Sequence, residues 1–338
     1  MFARCRINDI IRHMDGMTFL KNLANGVPLG GAYYFCGEDA YSLDKGIRAV
    51  VGLTNPDLRD MNVQYLKNPV PADVMNAAET LPFFDEKRVV IVLEFDADAA
   101  NAMKEYALKA PETTALVFVR DGKAPVGNPL YKALDKDGRA VSFDPLTTLQ
   151  AEAFLQKRSR ENGIPLERDA GRLLVQYLGT DLGALENTLL QLGAYVGFGT
   201  RVTRRAVETC VKPSSEYKVF AIMDKLWAGN KREGIAELAG LVNDPSESAL
   251  GLATLFERNL RVVVNAKQLL LGGNTEAQIV SLLGVAPFIA KKAVRNAKRR
   301  SLERLTCAME QFATIEWRQK QGEAKAEEAL VLACAENF

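Results

Sequence analysis

The residue types that carry out most covalent and metal chemistry are thinly supplied in this sequence. Its one histidine, His13, stands close to the N-terminus, so Ser-His, Cys-His and His-metal constellations can hardly be assembled. Cys5, Cys36, Cys210, Cys307 and Cys334 lie far apart with no CxxC pair, the pattern of a reduced, cytoplasmic chain without a metal knuckle. Carboxylate or lysine chemistry stays open, but no paired motif points to it. No catalytic residue, metal ligand or cofactor-binding residue is expected.

A nucleotide would need the strand–turn–helix at 34–43, Tyr-Phe-Cys-Gly-Glu-Asp-Ala-Tyr-Ser-Leu. A phosphate loop there requires several glycines whose N–H groups wrap the phosphates, a lysine for the β and γ oxygens, and a Ser or Thr for magnesium. Only Gly37 is present. Glu38 and Asp39 put negative charge at the start of the helix, which suits its dipole and repels phosphate. Lys45 lies well inside the helix and no Ser or Thr follows it. Downstream, Glu94-Phe95-Asp96 looks like an acidic magnesium pair, yet Asp96 is well placed to cap the helix starting at Ala97. The next strand ends in Arg120-Asp121-Gly122, without the polar Asn or Thr that senses a γ-phosphate. No intrinsic ATPase activity is expected.

A different kind of residue stands out at 79–96, ETLPFFDEKRVVIVLEFD. Residues 88–95 form an almost unbroken apolar, β-branched run, which reads as a strand buried on both faces of a parallel sheet. Before it, Leu81, Pro82, Phe83 and Phe84 set large apolar groups beside the charged turn Asp85-Glu86-Lys87. Such a turn cannot easily bury both rings under its own domain. Either they cap the edge of the sheet or they are displayed for a partner.

The elements that would position these residues follow from periodicity. Strands are predicted at 32–36, 62–66, 89–93, 115–119 and 140–143, alternating with helices at 39–51, 71–80, 97–109 and 130–134. That alternation implies a parallel sheet of five strands with helices on both sides. Beyond Asp144-Pro145 no strand remains. Helices are predicted at 147–160 and 168–178, then one capped by Thr180-Asp181 with Leu182, Leu185, Leu189 and Leu192 on one face, ended by Gly193 and Gly197. Thr203 caps a short helix to Val211, and Lys212-Pro213-Ser214-Ser215 reads as a hinge. The remainder is wholly helical: Asp244-Pro245 reads as an N-cap with proline at the first helical position, and Thr275 with Gln278 as a capping box. A last pair of helices is predicted at 301–321 and 323–334.

With 338 residues, 48% of them hydrophobic, there is material for two or three domains. The net charge of +1 excludes a global electrostatic hold on nucleic acid, so any such contact needs a local patch. The best patch is the helix at 287–304, where Lys291, Arg295 and Lys298 or Arg299 share a face and only Glu303 opposes them. A solvated face, DNA phosphates and an acidic neighbouring subunit all fit that pattern. Without interleaved aromatics it is not expected to read sequence. No segment approaches ~18 uninterrupted apolar residues, and no signal-peptide core is present, so a cytoplasmic location is expected.

Taken in order, these motifs resemble a known family. The turn at 33–39 (Tyr-Tyr-Phe-Cys-Gly-Glu-Asp) and the segment at 81–92 (Leu-Pro-Phe-Phe-Asp-Glu-Lys-Arg-Val-Val-Ile-Val) carry the resemblance. Gly179-Thr180-Asp181-Leu182 with Leu185, Glu186 and Leu192 adds to it, as do Val219-Phe220, Asp224 and Gly229, and Ala286-Pro287-Phe288. The chain is similar, over nearly its whole length from Ala32, to the δ-subunit family of the bacterial DNA polymerase III clamp loader.

The resemblance implies an AAA+-like domain without a functional phosphate loop at 1–145, a small helical lid at 146–212 and an all-α collar at 213–338. It also implies a subunit that opens the ring-shaped sliding clamp (the beta subunit) with an apolar wedge, and the matching positions are Phe83 and Phe84, supported by Leu81. The collar would join gamma/tau and delta-prime subunits, whose ATP-binding members supply energy, in a holoenzyme that is a nucleotidyltransferase as a complex. Primed DNA would be met without sequence preference, with Lys291, Arg295, Lys298 and Arg299 as candidate contacts to DNA or to another subunit. Trp227 and Trp317 are expected in core or collar packing. Gln321-Gly322 stand where some members carry an aromatic near the primer end, so no strand-separating role is expected there.

Overall fold

The computed structural model describes residues 14–285 and 287–338; Cys5, His13 and Ala286 lie outside the described residues. Contacts divide the chain into two compact units, Met1–Leu146 with Thr180–Ala184, and Thr147–Gly179 with Leu185–Phe338.

The first unit is built on a wholly parallel sheet. Its strands are β1 (Met14–Asp15), β2 (Gly31–Gly37), β3 (Val63–Lys67), β4 (Arg88–Leu93), β5 (Thr114–Asp121) and β6 (Ala140–Ser142), arranged in the order β1-β6-β2-β5-β4-β3. Five of these correspond to the expected strands. The sixth is a correction: Met14 and Asp15 pair with Val141 and Ser142 at the sheet edge, and two residues are too few to display an alternation. A second correction concerns Asn62, which ends a short helix and does not begin β3.

The helices are α1 (Gly16–Ala24), α2 (Ala40–Val51), α3 (Arg59–Asn62), α4 (Pro71–Glu79), α5 (Ala97–Leu108) and α6 (Pro129–Lys136). They cover both faces. Tyr34, Cys36, Val90, Val92, Leu116 and Phe118 pack with Val74, Met103, Leu130 and Tyr131. Phe35, Val89, Ile91, Val117 and Phe143 pack on the opposite side with Phe19, Leu43 and Val50. Successive residues of a strand point to opposite faces, so covering both makes the whole run at 89–92 fully buried. Each such side chain contributes about 1.5–3 kcal/mol of burial.

In the second unit, α7 (Thr148–Glu161), α8 (Arg168–Leu178), α9 (Leu182–Val196) and α10 (Arg204–Cys210) come first. Thr147 and Gln150 form a capping box on α7, and Thr203 caps α10 through the Ala206 N–H. The expected leucine face of α9 is buried at Leu182, Leu185, Leu189 and Leu192. Gly193 does not end that helix; it lies within it, because a Cβ there would stand 2.6 Å from the Ile164 side chain.

The rest comprises α11 (Ser215–Ala228), α12 (Lys231–Val242), α13 (Ala249–Leu271), α14 (Glu276–Leu282), α15 (Pro287–Lys298), α16 (Leu302–Ala313), α17 (Ile315–Lys320) and α18 (Ala326–Asn337). The long α13 supplies one core with Leu252, Phe256 and Leu260 and a second with Val263, Val264 and Ala266. Phe256 stacks on Phe312 at 5.3 Å between ring centroids. Asp244-Pro245 forms a turn and not a helix start: Asp244 accepts from the Ser246 N–H and hydroxyl, and Ser248 caps α13. The capping box of Thr275 and Gln278 heads α14. Trp227 is half-buried between Phe338 and Arg300, whereas Trp317 is 56% exposed and stands outside the core.

Candidate functional site

Two places in the first unit were singled out by their residues: the turn after β2 and the loop before β4. Because β2 and β4 are parallel, with β5 in register between them, the turn lies at the carboxyl ends of the strands and the loop at the amino ends.

The turn is closed by the chain itself. Phe143 donates its N–H to Cys36 O at 2.7 Å and accepts from the Asp39 N–H at 3.0 Å. Gly37 sits so close that a Cβ would overlap the Phe143 carbonyl. Its glycine serves that close approach. Asp39 is buried and caps α2, one carboxylate oxygen accepting from the Ser42 N–H at 3.4 Å. Its other oxygen has no hydrogen-bond partner among the described residues. The Lys45 ammonium lies over the Tyr41 ring, 5.9 Å from its centroid. A committed N–H, a buried carboxylate and a lysine placed on a ring do not make a phosphate cradle. Glu94, half of the candidate magnesium pair, forms an ion pair with Lys67 at 3.2 Å. Among the described residues no group of three or more His, Cys, Asp or Glu side chains is arranged to hold a metal.

The loop is the opposite case. After α4 ends, Leu81 is 74% exposed, Phe83 46% and Phe84 85%. The two rings meet edge to face, with centroids 4.7 Å apart, and so keep each other's company in water. Phe84 adopts φ +49°, a left-handed backbone that a bulky residue takes only when its surroundings impose it, at a cost of about 1–2 kcal/mol.

The surroundings are visible. Asn62, fully buried, donates from Nδ2 to Phe83 O at 2.9 Å and accepts from the Phe83 N–H at 2.7 Å, as a neighbouring strand would. Asp85 accepts from the Asn55 N–H at 2.7 Å and from the Glu86 N–H at 2.7 Å. Lys87 donates to Glu112 O at 2.5 Å. Arg88, read in the sequence as part of the apolar run, is a buried cation beneath the loop. It donates to Ala77 O, Met61 O and Gln64 Oε1 at 2.9, 3.0 and 2.7 Å, and burial pulls its pKa down. With Thr114, which donates to Ala78 O at 2.8 Å, it satisfies carbonyls that the end of α4 leaves open. The apolar loop is therefore mounted on polar bonds at three points and turned outward.

Sequence reasoning missed Asn62, Asn55, Asp85 and Arg88 as the mount. The one available signal was the polar pair Asn62 and Gln64 in an otherwise apolar strand candidate. Met61, 56% exposed beside Asn62, is a further apolar side chain next to the mount.

Residues 33–144, which contain both places, match the family model for the DNA polymerase III delta subunit, and residues 216–336 match the model for the C-terminal domain of the same subunit. The chain belongs to the DNA polymerase III delta subunit family. It is 23% identical over 306 residues to the DNA polymerase III subunit delta of Bacillus subtilis (strain 168), covering 86% of this chain and 88% of that one. Its fold is that of the Bacillus subtilis DNA clamp loader delta protein, with a TM-score of 0.65 at 21% identity over 95% of this chain and 99% of the other.

The second candidate of this delta-family chain is the basic surface of α15 and the residues after it. Lys291, Arg295, Lys298, Arg299 and Arg304 are exposed. Not all are available to a partner: Lys298 is ion-paired with Glu276 and Lys292 with Asp224. Arg300 lies on the Trp227 ring at 3.9 Å, its pKa lowered by burial and by Arg304 and Arg299 beside it. The side chains of Lys291, Arg295 and Arg299 remain without a hydrogen bond or ion pair among the described residues. Among those residues, no helix is long and apolar enough to cross a membrane.

Proposed function

We propose that this chain is the clamp-opening subunit of a DNA polymerase III clamp loader, gripping the sliding clamp with Leu81, Phe83 and Phe84 and holding it open for loading onto primed DNA. The observation that carries the reading is the exposed, edge-to-face Phe pair on a braced loop. Apolar groups that a fold spends strain to display are interface anchors, and two aromatic anchors supply several kcal/mol of association energy. A rigid mount lowers the ordering cost of binding, which raises affinity without added contacts. A subunit that binds the open ring better than the closed one shifts the ring toward opening by that difference alone.

Under this reading the AAA+-like unit needs no nucleotide of its own, in keeping with the closed turn at Gly37. Energy comes from the ATP-binding gamma/tau partners, and the helices at 213–338 form the collar that meets them and delta-prime, after a lid at 146–212. Lys291, Arg295 and Arg299, with Lys298 if its pair with Glu276 opens, contact DNA phosphates or an acidic neighbouring subunit. The complex works in the cytoplasm.

Purified sliding clamp, passed over the immobilised chain, is expected to be retained by the wild type and released by Phe83→Ala/Phe84→Ala. Retention by the double variant removes the reading. Two competitors are separated at the same time. Micromolar binding of a fluorescent ATP analogue favours an ATPase, whereas failure of the wild type to hold the clamp while still joining the loader favours a purely structural subunit.

A further inference from the structure

The second unit carries a concave basic site away from α15. A cavity of about 450 Å³ is lined by Arg160 from the end of α7, Arg168 from the first turn of α8 and Arg201 from the segment before α10, with Gln156 and Glu167 beside them. Three separate stretches meet there because Leu166 and Val202 form a parallel bridge. The Val202 N–H donates to Pro165 O at 2.8 Å, and the Glu167 N–H to Val202 O at 3.1 Å. That bridge carries Arg201 against the start of α8.

Most other arginines of α7, α8 and α10 are neutralised: Arg158 by Glu161 and Glu186, Arg172 by Asp169, Arg204 by Glu208. Arg160, Arg168 and Arg201 are exposed, and their guanidinium groups make no hydrogen bond or ion pair among the described residues. The carboxylate among the lining residues, Glu167, accepts from the Arg204 N–H at 3.4 Å and so serves the head of α10. In a chain whose net charge is +1, three uncompensated guanidinium groups around one concavity form a local anion site.

We propose that Arg160, Arg168 and Arg201 grip the phosphate backbone of DNA, as a contact separate from α15. Guanidinium forks match phosphate oxygens in pairs. The cavity is lined by no aromatic ring on which a base could stack, so it recognises spaced negative charge without reading sequence. This rests on the reading of the chain as a loader subunit that meets DNA.

The test uses the full chain and a fluorescein-labelled primed duplex, followed by anisotropy from about 50 to about 200 mM salt. Arg160→Gln/Arg168→Gln/Arg201→Gln is expected to bind about tenfold or more weakly at mid-range salt, its log–log salt slope shallower by about 2.7, roughly 0.9 per lost phosphate contact. Arg201→Gln alone lies outside every helix, leaves folding untouched, and should flatten the slope by about 0.9. Unchanged affinity and slope in both variants, or no DNA binding by the intact chain at the lowest salt, overturns the proposal. Loss of binding to polyglutamate with DNA binding unaffected overturns it too, in favour of an acidic protein partner. Clamp retention, measured on the same preparations, reports separately on the proposed function and should not change.

Discussion

The two ends of one parallel sheet are dressed in opposite ways. At the carboxyl ends, where open α/β sheets usually bind ligands, the turn at 37–39 is filled by the Phe143 carbonyl and carries a buried Asp39. At the amino ends, the loop at 81–84 is apolar, exposed and strained, and its backbone is tied down by Asn62 and Asp85. The same parallel sheet thus closes the turn at its carboxyl edge and displays apolar side chains at its amino edge. A rigid sheet is useful to either end, because it fixes whatever protrudes.

The comparison breaks first at Gly37. Gly37→Ala drives a methyl into the Phe143 carbonyl, a backbone atom that cannot move aside, and is expected to cost about 3 kcal/mol or more in urea unfolding. A neutral result would mean that the turn is loose and open to a ligand. Next, Arg88→Met removes a buried cation that holds three acceptors. Stability should fall by about 2–3 kcal/mol in the same assay, with the loop loosened, since the Ala77 and Met61 carbonyls lose their partner.

Asn62→Ala sharpens the contrast between display and mounting. It should cost about 1–2 kcal/mol of stability. It should also weaken clamp binding about tenfold in calorimetry, although Asn62 itself is buried. Unaltered affinity would show that the mount is irrelevant to the contact. The smallest effect is on pH dependence. Burial pushes the Cys36 thiol and the Tyr34 hydroxyl up to about 12, so both stay neutral in the fold. Acids with raised folded values contribute fully below their unfolded values and lose that contribution as pH climbs from there toward the folded ones. Urea midpoints should therefore hold steady near neutrality and decline above the ordinary thiol value of 9.0. A flat profile to pH about 11 would contradict the burial of this face.

Much of this was legible in the sequence wherever a local pattern has one structural meaning. The run at 89–92 could be read as a strand because covering both sheet faces forces apolarity at every position. The leucines of α9 and the capping box of Thr275 and Gln278 are local in the same sense. The failures are where partners come from far along the chain. Asn62 imitates a strand partner for Phe83, Lys292 is compensated by Asp224, and Lys298 by Glu276, none of which periodicity records. Asp244-Pro245 misled because proline suits the second position of a turn as well as the first of a helix. Trp317 stands at a helical spacing that fits core or collar packing; α17 is short and leaves it outside this chain's own core, which periodicity could not decide. The apolar loop itself was conspicuous by residue type; its strain and its mount were not.

The most direct test is the affinity of Phe83→Ala/Phe84→Ala for the sliding clamp, measured by calorimetry beside the wild type, with thermal unfolding recorded on the same samples. Both rings are exposed in the free chain, so unfolding should be unchanged while affinity falls by at least about a hundredfold. Near-wild-type affinity in the folded double variant would contradict the assignment of this loop as the gripping surface.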